Sequence, residues 1–207
     1  MKQFLFYILL CSFINADTYP FFTQAELQKI KSANAISNNR IVDYTRTLIT
    51  YKKLSKTEQL EKVNYYLNQL LPQYDAITQH QEDEWATPKE FLKIGYGDCE
   101  DYVIIKYYSL IKLGFDKKRL FLTLVKDNFD GGYHMVLSYF HYKNRVPLIL
   151  DNLSSKILDL HARKDLTPLL FINTTGVYKI NKAYKLLKIA KRYKEFEEVQ
   201  YKVRNNF

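Results

Sequence analysis

The chain has 207 residues, 47% of them hydrophobic and 26% charged, and a formal net charge of +9. This balance is that of one soluble globular domain with a real core, and no repeat or low-complexity tract divides it. The charge does not mark a nucleic-acid binder, because the lysines are spread from Lys29 to Lys202 with no arginine-rich block.

The N-terminus reads as a targeting segment. Met1-Lys2 is a short basic region, residues 4–13 are apolar, and Ile14-Asn15-Ala16 ends in a small residue. Residues 1–16 are therefore expected to be a cleavable signal peptide, and 17–207 a single domain. A transmembrane helix needs about 20 apolar residues, which this stretch lacks. Cys11 raises the alternative of lipidation, but Leu10 before it is large where a lipoprotein signal wants a small residue. Cleavage removes Lys2, the one charged residue among the first sixteen, so the charge falls from +9 to +8. It also removes Cys11 and leaves Cys99 without a disulfide partner. The 18 tyrosines and 13 phenylalanines suit core and sheet packing better than base stacking, and export itself argues against nucleic acid. The basic surface suits acidic macromolecules or an anionic membrane face.

Helices come next. Thr23-Gln24-Ala25-Glu26 is a capping box opening a helix over about 23–33. Helical spacing of Ile41, Tyr44, Leu48 and Tyr51 predicts a second over 39–53. Ser55-Lys56-Thr57-Glu58 caps a third, carrying Leu60, Val63, Leu67 and Leu70, with Pro72 as its stop. Thr87-Pro88-Lys89-Glu90 opens a short helix that Gly95 ends. A longer one runs from Asp98 or Cys99 to Leu113, before Gly114.

The pattern then changes to strands at 119–126, 134–142 and 146–150, with turns at 127–132 and 143–145. Further strands are expected at 169–172 and 177–180. The tail over 183–203 has helical spacing through Leu186, Ala190, Tyr193, Phe196, Val199 and Val203. Helices followed by antiparallel strands indicate an α+β fold.

The informative run is Gly97-Asp98-Cys99-Glu100-Asp101-Tyr102. A helix start favours a thiolate, while three adjacent carboxylates oppose it. Nucleophilic cysteine chemistry needs an imidazole and a group to orient it. His134 opens the second predicted strand and Asp151 ends the third. Adjacent antiparallel strands put the start of one beside the end of the next, so the two can be neighbours. His80, His141 and His161 compete as bases. The acids have two readings: a capping arrangement of Asp98 with Asp101, or oxygen ligands for a dication that would offset their charge. Zinc held by Cys99, His134 and Asp151 would have few ligands and would waste the carboxylate–histidine pairing. The Cys99 N–H is a natural oxyanion donor. Trp85 either shapes the cleft or belongs to the core.

The run Gly97-Asp98-Cys99-Glu100-Asp101-Tyr102, followed by Lys106-Tyr107, resembles the cysteine motif of bacterial transglutaminase-like cysteine proteases. Trp85-Ala86-Thr87-Pro88-Lys89-Glu90-Phe91 is similar to the segment before that cysteine. His134-Met135-Val136-Leu137 and Leu150-Asp151-Asn152-Leu153 are similar to its histidine and aspartate motifs, in the same order. The resemblance spans about residues 20–185. It implies a transglutaminase-like, papain-like fold, with a cysteine-bearing helix packed on an antiparallel sheet. It implies a periplasmic cysteine endopeptidase with Cys99 as nucleophile, His134 as base and acid, and Asp151 as orienting carboxylate. It further implies Ca2+ bound by Asp98, Glu100 and Asp101. The implied substrate is a large repeat adhesin, cut near its N-terminus at paired alanines to release a biofilm. The implied partner is an inner-membrane cyclic-di-GMP receptor of the LapD type. Acyl transfer or amidase chemistry on the same three residues, and a non-catalytic calcium-dependent binding module, are the alternatives.

Overall fold

The computed structural model describes residues 21–72, 84–142 and 144–205. The expected signal peptide, Cys11 and the competing base His80 lie outside these residues, as does Lys143 of the expected turn. No helix among the described residues is long and apolar enough to cross a membrane.

Among the described residues, helices dominate the first half. α1 (Gln24–Ala33), α3 (Lys56–Leu67) and α4 (Pro88–Ile94) open on Thr23, Ser55 and Thr87, each with both halves of the capping box formed. Such caps contribute about 1 kcal/mol each. α2 (Ala35–Tyr51) starts four residues before its expected boundary, because the Asn34 side chain caps Ser37 N–H. α3 stops at Leu67 rather than continuing to Pro72. Gly95 closes α4 at φ 90, where a glycine avoids the strain of a left-handed residue. Two short parallel strands, β1 (Leu71–Pro72) and β2 (Tyr96–Gly97), then lead into α5 (Cys99–Lys112).

α5 is the central helix. Residues 100–107 are buried on every side, including the charged Glu100, Asp101 and Lys106. The first two turns of α5 are therefore buried all round rather than along one face. Tyr102, Ile104, Ile105, Tyr107 and Leu110 are at most 1% exposed, and full burial of a large apolar side chain stabilises by roughly 1.5–3 kcal/mol.

Among the described residues, seven strands form one antiparallel sheet: β3 (Leu120–Asp127), β4 (Tyr133–Tyr139), β5 (Leu148–Asp151), β6 (Ser154–Asp159), β7 (Leu166–Asn173), β8 (Gly176–Ile180) and β9 (Leu186–Ala190). Their order is β6-β5-β4-β3-β7-β8-β9. Alternation splits the sheet. Leu120, Leu122, Met135, Leu137 and Leu150 join the core of the helices. Phe121, Val125, Val136, Ile149 and Phe171 form a second core on the opposite face. The architecture is the expected α+β fold.

β6 and the tail also depart from the sequence reading. β6, with sequence SSKILD, is a polar edge strand whose composition carries no strand signal. The tail is a hairpin strand before it is a helix: Leu186 and Ala190 belong to β9, and only Lys194–Arg204 forms α6. The turn between β8 and β9 has no glycine. Asn181 Oδ1 accepts from Ala183 N–H and Lys185 N–H, and Tyr184 takes φ 55. α6 buries Phe196 and Val199, as its spacing predicts.

Candidate active site

Cys99 is the first residue of α5, and Asp98 is its N-cap residue at φ −91, ψ −168. Unlike the caps of α1, α3 and α4, the Asp98 side chain makes no capping hydrogen bond to the helix. Asp101 performs part of that work in reverse. Its carboxylate accepts from the backbone N–H of Asp98, and its Oδ1 accepts from Ala86 N–H at 2.7 Å. Gly97 allows this packing, since a Cβ there would lie 2.5 Å from Asp101 Oδ2.

The acids oppose ionisation around them. Burial and the neighbouring Asp98 charge push the Asp101 carboxyl up to about 8. Cys99 Sγ donates to Glu100 Oε2 at 3.1 Å. Burial, then Glu100, push the thiol well above its ordinary range, while the Met135 N–H directed at the sulfur works the other way. That N–H also locates the sulfur: Cys99 meets β4 one residue after His134. β5 pairs with β4 only at 137–139, so no β5 partner lies beside His134 and Met135.

His134 and Asp151 do come together. His134 Nε2 lies 2.8 Å from Asp151 Oδ1, and Asp151 is fully buried. Hydrogen bonds from His134, Leu153 N–H and Arg163 hold the Asp151 carboxyl well below the usual carboxylate range despite its burial. An ionised carboxylate only accepts, so Nε2 carries the proton and Nδ1 of the neutral ring keeps a lone pair. Of the competing bases, His141 is exposed past the end of β4 against Tyr142, and His161 is exposed and bonded to Tyr184 Oη at 3.2 Å.

Several supporting residues carried no sequence signal. Arg163 reaches Asp151 Oδ2 at 2.8 Å from the connection between β6 and β7. Asn68 Nδ2 donates to the Asp151 carbonyl at 2.7 Å. Asn64 Nδ2 donates to Ser154 O at 2.8 Å, and its Oδ1 accepts from the fully buried Lys106 at 2.8 Å. Trp85 is buried and stacks on Tyr193 with ring centroids 5.7 Å apart, so it is a core residue.

For a dication, the donors are of the right chemistry: hard carboxylate oxygens, with Asp98 and Asp101 close enough to raise one another's cost of ionisation. Glu100 is turned to the thiol instead. In this arrangement no three His, Cys, Asp or Glu side chains among the described residues converge as a metal-holding group.

Cys99 at a central helix start, with the Met135 N–H of β4 directed at its sulfur, and a strand-borne His134 bonded to the buried Asp151 are the groups that cysteine nucleophile chemistry needs. The sequence profile of the bacterial transglutaminase-like cysteine proteinase family, BTLCP, matches residues 45–165. No curated protein matches the chain. Among solved structures, calcium-bound LapG of Legionella pneumophila is 32% identical, covering 87% of this chain and 99% of that one, with a TM-score of 0.73. EGTA-treated LapG of the same organism is 32% identical over 89% and 99%, with a TM-score of 0.76. A further Legionella pneumophila LapG structure is 33% identical over 89% and 97%, with a TM-score of 0.74. The chain belongs to the bacterial transglutaminase-like cysteine proteinase family, as a LapG-type cysteine protease.

Proposed function

We propose that this chain is a calcium-dependent periplasmic cysteine endopeptidase that cleaves a large repeat adhesin near its N-terminus and so controls biofilm release. The observation that carries the reading is the 2.8 Å His134–Asp151 bond beside the helix start that holds Cys99. Cys99 is the nucleophile. His134 accepts the thiol proton through Nδ1 and later delivers it to the leaving amine. Asp151 fixes the ring and stabilises the imidazolium. The Cys99 N–H, at the positive end of α5, donates to the oxyanion as the carbonyl becomes tetrahedral. Collapse of that intermediate leaves a thioester, which water attacks with His134 now acting as base.

Calcium enters because a LapG structure is calcium-bound and because the carboxylates here crowd the thiol. Asp98 and Asp101 would hold the ion, with Glu100 as the third acid. Bound there, it supplies positive charge that offsets the acids and eases thiolate formation. Export through residues 1–16 places the enzyme in the periplasm, and an inner-membrane cyclic-di-GMP receptor of the LapD type is its regulatory partner.

The test is incubation of the mature protein with an adhesin N-terminal fragment containing paired alanines, with and without an added amine. Cleavage that is lost in Cys99→Ala supports the reading. Cross-linked product without cleavage sinks it in favour of acyl transfer.

A further inference from the structure

Asp151 is fully buried, and its environment is built to keep it charged and still. One oxygen, Oδ1, accepts from His134 Nε2 at 2.8 Å and from Leu153 N–H at 2.9 Å. The other, Oδ2, accepts from Arg163 Nη2 at 2.8 Å. A buried carboxylate with only a neutral imidazole for company would be heavily penalised. The guanidinium supplies a permanent opposite charge.

Arg163 is itself held from the far side. Its Nε lies 2.9 Å from both Asp165 oxygens, and its Nη2 is 2.5 Å from Asp165 Oδ2. One planar fork therefore spans two carboxylates, an inner one on the imidazole and an outer one at the surface. The peptide carrying this fork is tied to the histidine hairpin. Asn128 sits in the turn between β3 and β4, six residues before His134. Its N–H donates to Asp165 O at 2.7 Å, its Nδ2 donates to Lys164 O at 2.9 Å, and its Oδ1 accepts from Thr167 Oγ1 at 2.9 Å. The imidazole is thus gripped through its ring by Asp151 and through its strand by Asn128, and both grips converge on residues 163–165.

We propose that Arg163 and Asp165 are positioning residues that lock the Asp151–His134 pair in its working geometry, with Asn128 joining that lock to the turn before His134. They act through Asp151 rather than on the thiol. Asp151 is also faced by Lys106 from α5, which acts on it only through charge. The proposal rests on the reading of His134 and Asp151 as the catalytic pair, and its test needs no substrate.

The test is exchange of the His134 Nε2 ring proton, followed by NMR in the mature 15N-labelled chain and assigned by its loss in His134→Gln. Losing a charge-assisted bond to Asp151 should speed that exchange about tenfold or more in Arg163→Met. Arg163→Lys keeps the charge without the fork, so it should fall between Arg163→Met and the parent. A folded Arg163→Met protein with parent-like exchange overturns the proposal, even if its melting temperature drops. Should Arg163→Met fail to fold, Asp165→Asn carries the test, because it removes only the outer anchor. Faster exchange there supports the lock, and unchanged exchange overturns it. If exchange responds but the parent protein leaves the adhesin fragment intact, the lock stands and the substrate assignment falls.

Discussion

Cys99 Sγ donates to Glu100 Oε2 at 3.1 Å, so the thiol proton is held by the next residue in the chain. The helix start favours the thiolate, yet burial and the Glu100 charge outweigh it and raise the thiol pKa. Glu100→Gln removes that charge and should move the midpoint of Cys99 alkylation by iodoacetamide to lower pH in chelator. With calcium present, the gap between parent and variant should narrow. Identical midpoints in chelator would show that Glu100 does not restrain the thiol.

Asp151 must accept on both of its oxygens: from Arg163 on one, and from His134 and Leu153 N–H on the other. An asparagine has one accepting atom. In Asp151→Asn, either Arg163 loses its acceptor or the imidazole faces an N–H and loses its tautomer. Cleavage of the adhesin fragment should fall by a factor on the order of 10²–10⁴. A loss of only a few fold would remove Asp151 from the catalytic set.

Asp101 links the candidate calcium site to stability. Its folded carboxyl is raised from 3.8 to about 8, so the fold favours the neutral form. That contribution is complete below the unfolded value and is lost as pH rises through the folded one. In chelator, the melting temperature should fall across that window more steeply for the parent than for Asp101→Asn. Calcium should restore the parent at the upper end. A parent curve indifferent to both chelator and calcium would leave the acids without a metal role.

Lys106 gives the opposite slope. Burial lowers its ammonium from 10.5 to about 7, against the pull of the Asp151 charge. The unfolded chain binds the proton more tightly, so stability should rise with pH between those values. Lys106→Gln keeps a donor for Asn64 and should flatten that rise in urea unfolding measured at several pH values. An unchanged slope would place a different group behind it.

Much of the helical half was legible because its signals are local. Thr23, Ser55 and Thr87, each with a glutamate three residues on, mark helix starts that form as read. The β9 strand was not legible, because Leu186, Ala190 and Tyr193 fall at a helical spacing, and the strand is fixed by pairing with β8. β6 was hidden for the same reason: its order comes from β5, not from its own polar residues.

By itself the sequence determined the types and order of the chemistry: a thiol among acids at a helix start, a histidine opening a strand, and an aspartate ending the next. These are short-range patterns, set by periodicity and capping. Only the tertiary structure decided who faces whom. Antiparallel pairing of β4 with β5 brought Asp151 to the His134 end of β4, and hydrogen bonds from His134, Leu153 N–H and Arg163 keep that buried carboxylate charged. The fold also delivered Arg163 from a connection twelve residues beyond Asp151, and turned Glu100 onto the thiol while Asp101 turned back to Ala86. Such choices depend on desolvation and on partners distant in the chain, which no local pattern of residues encodes.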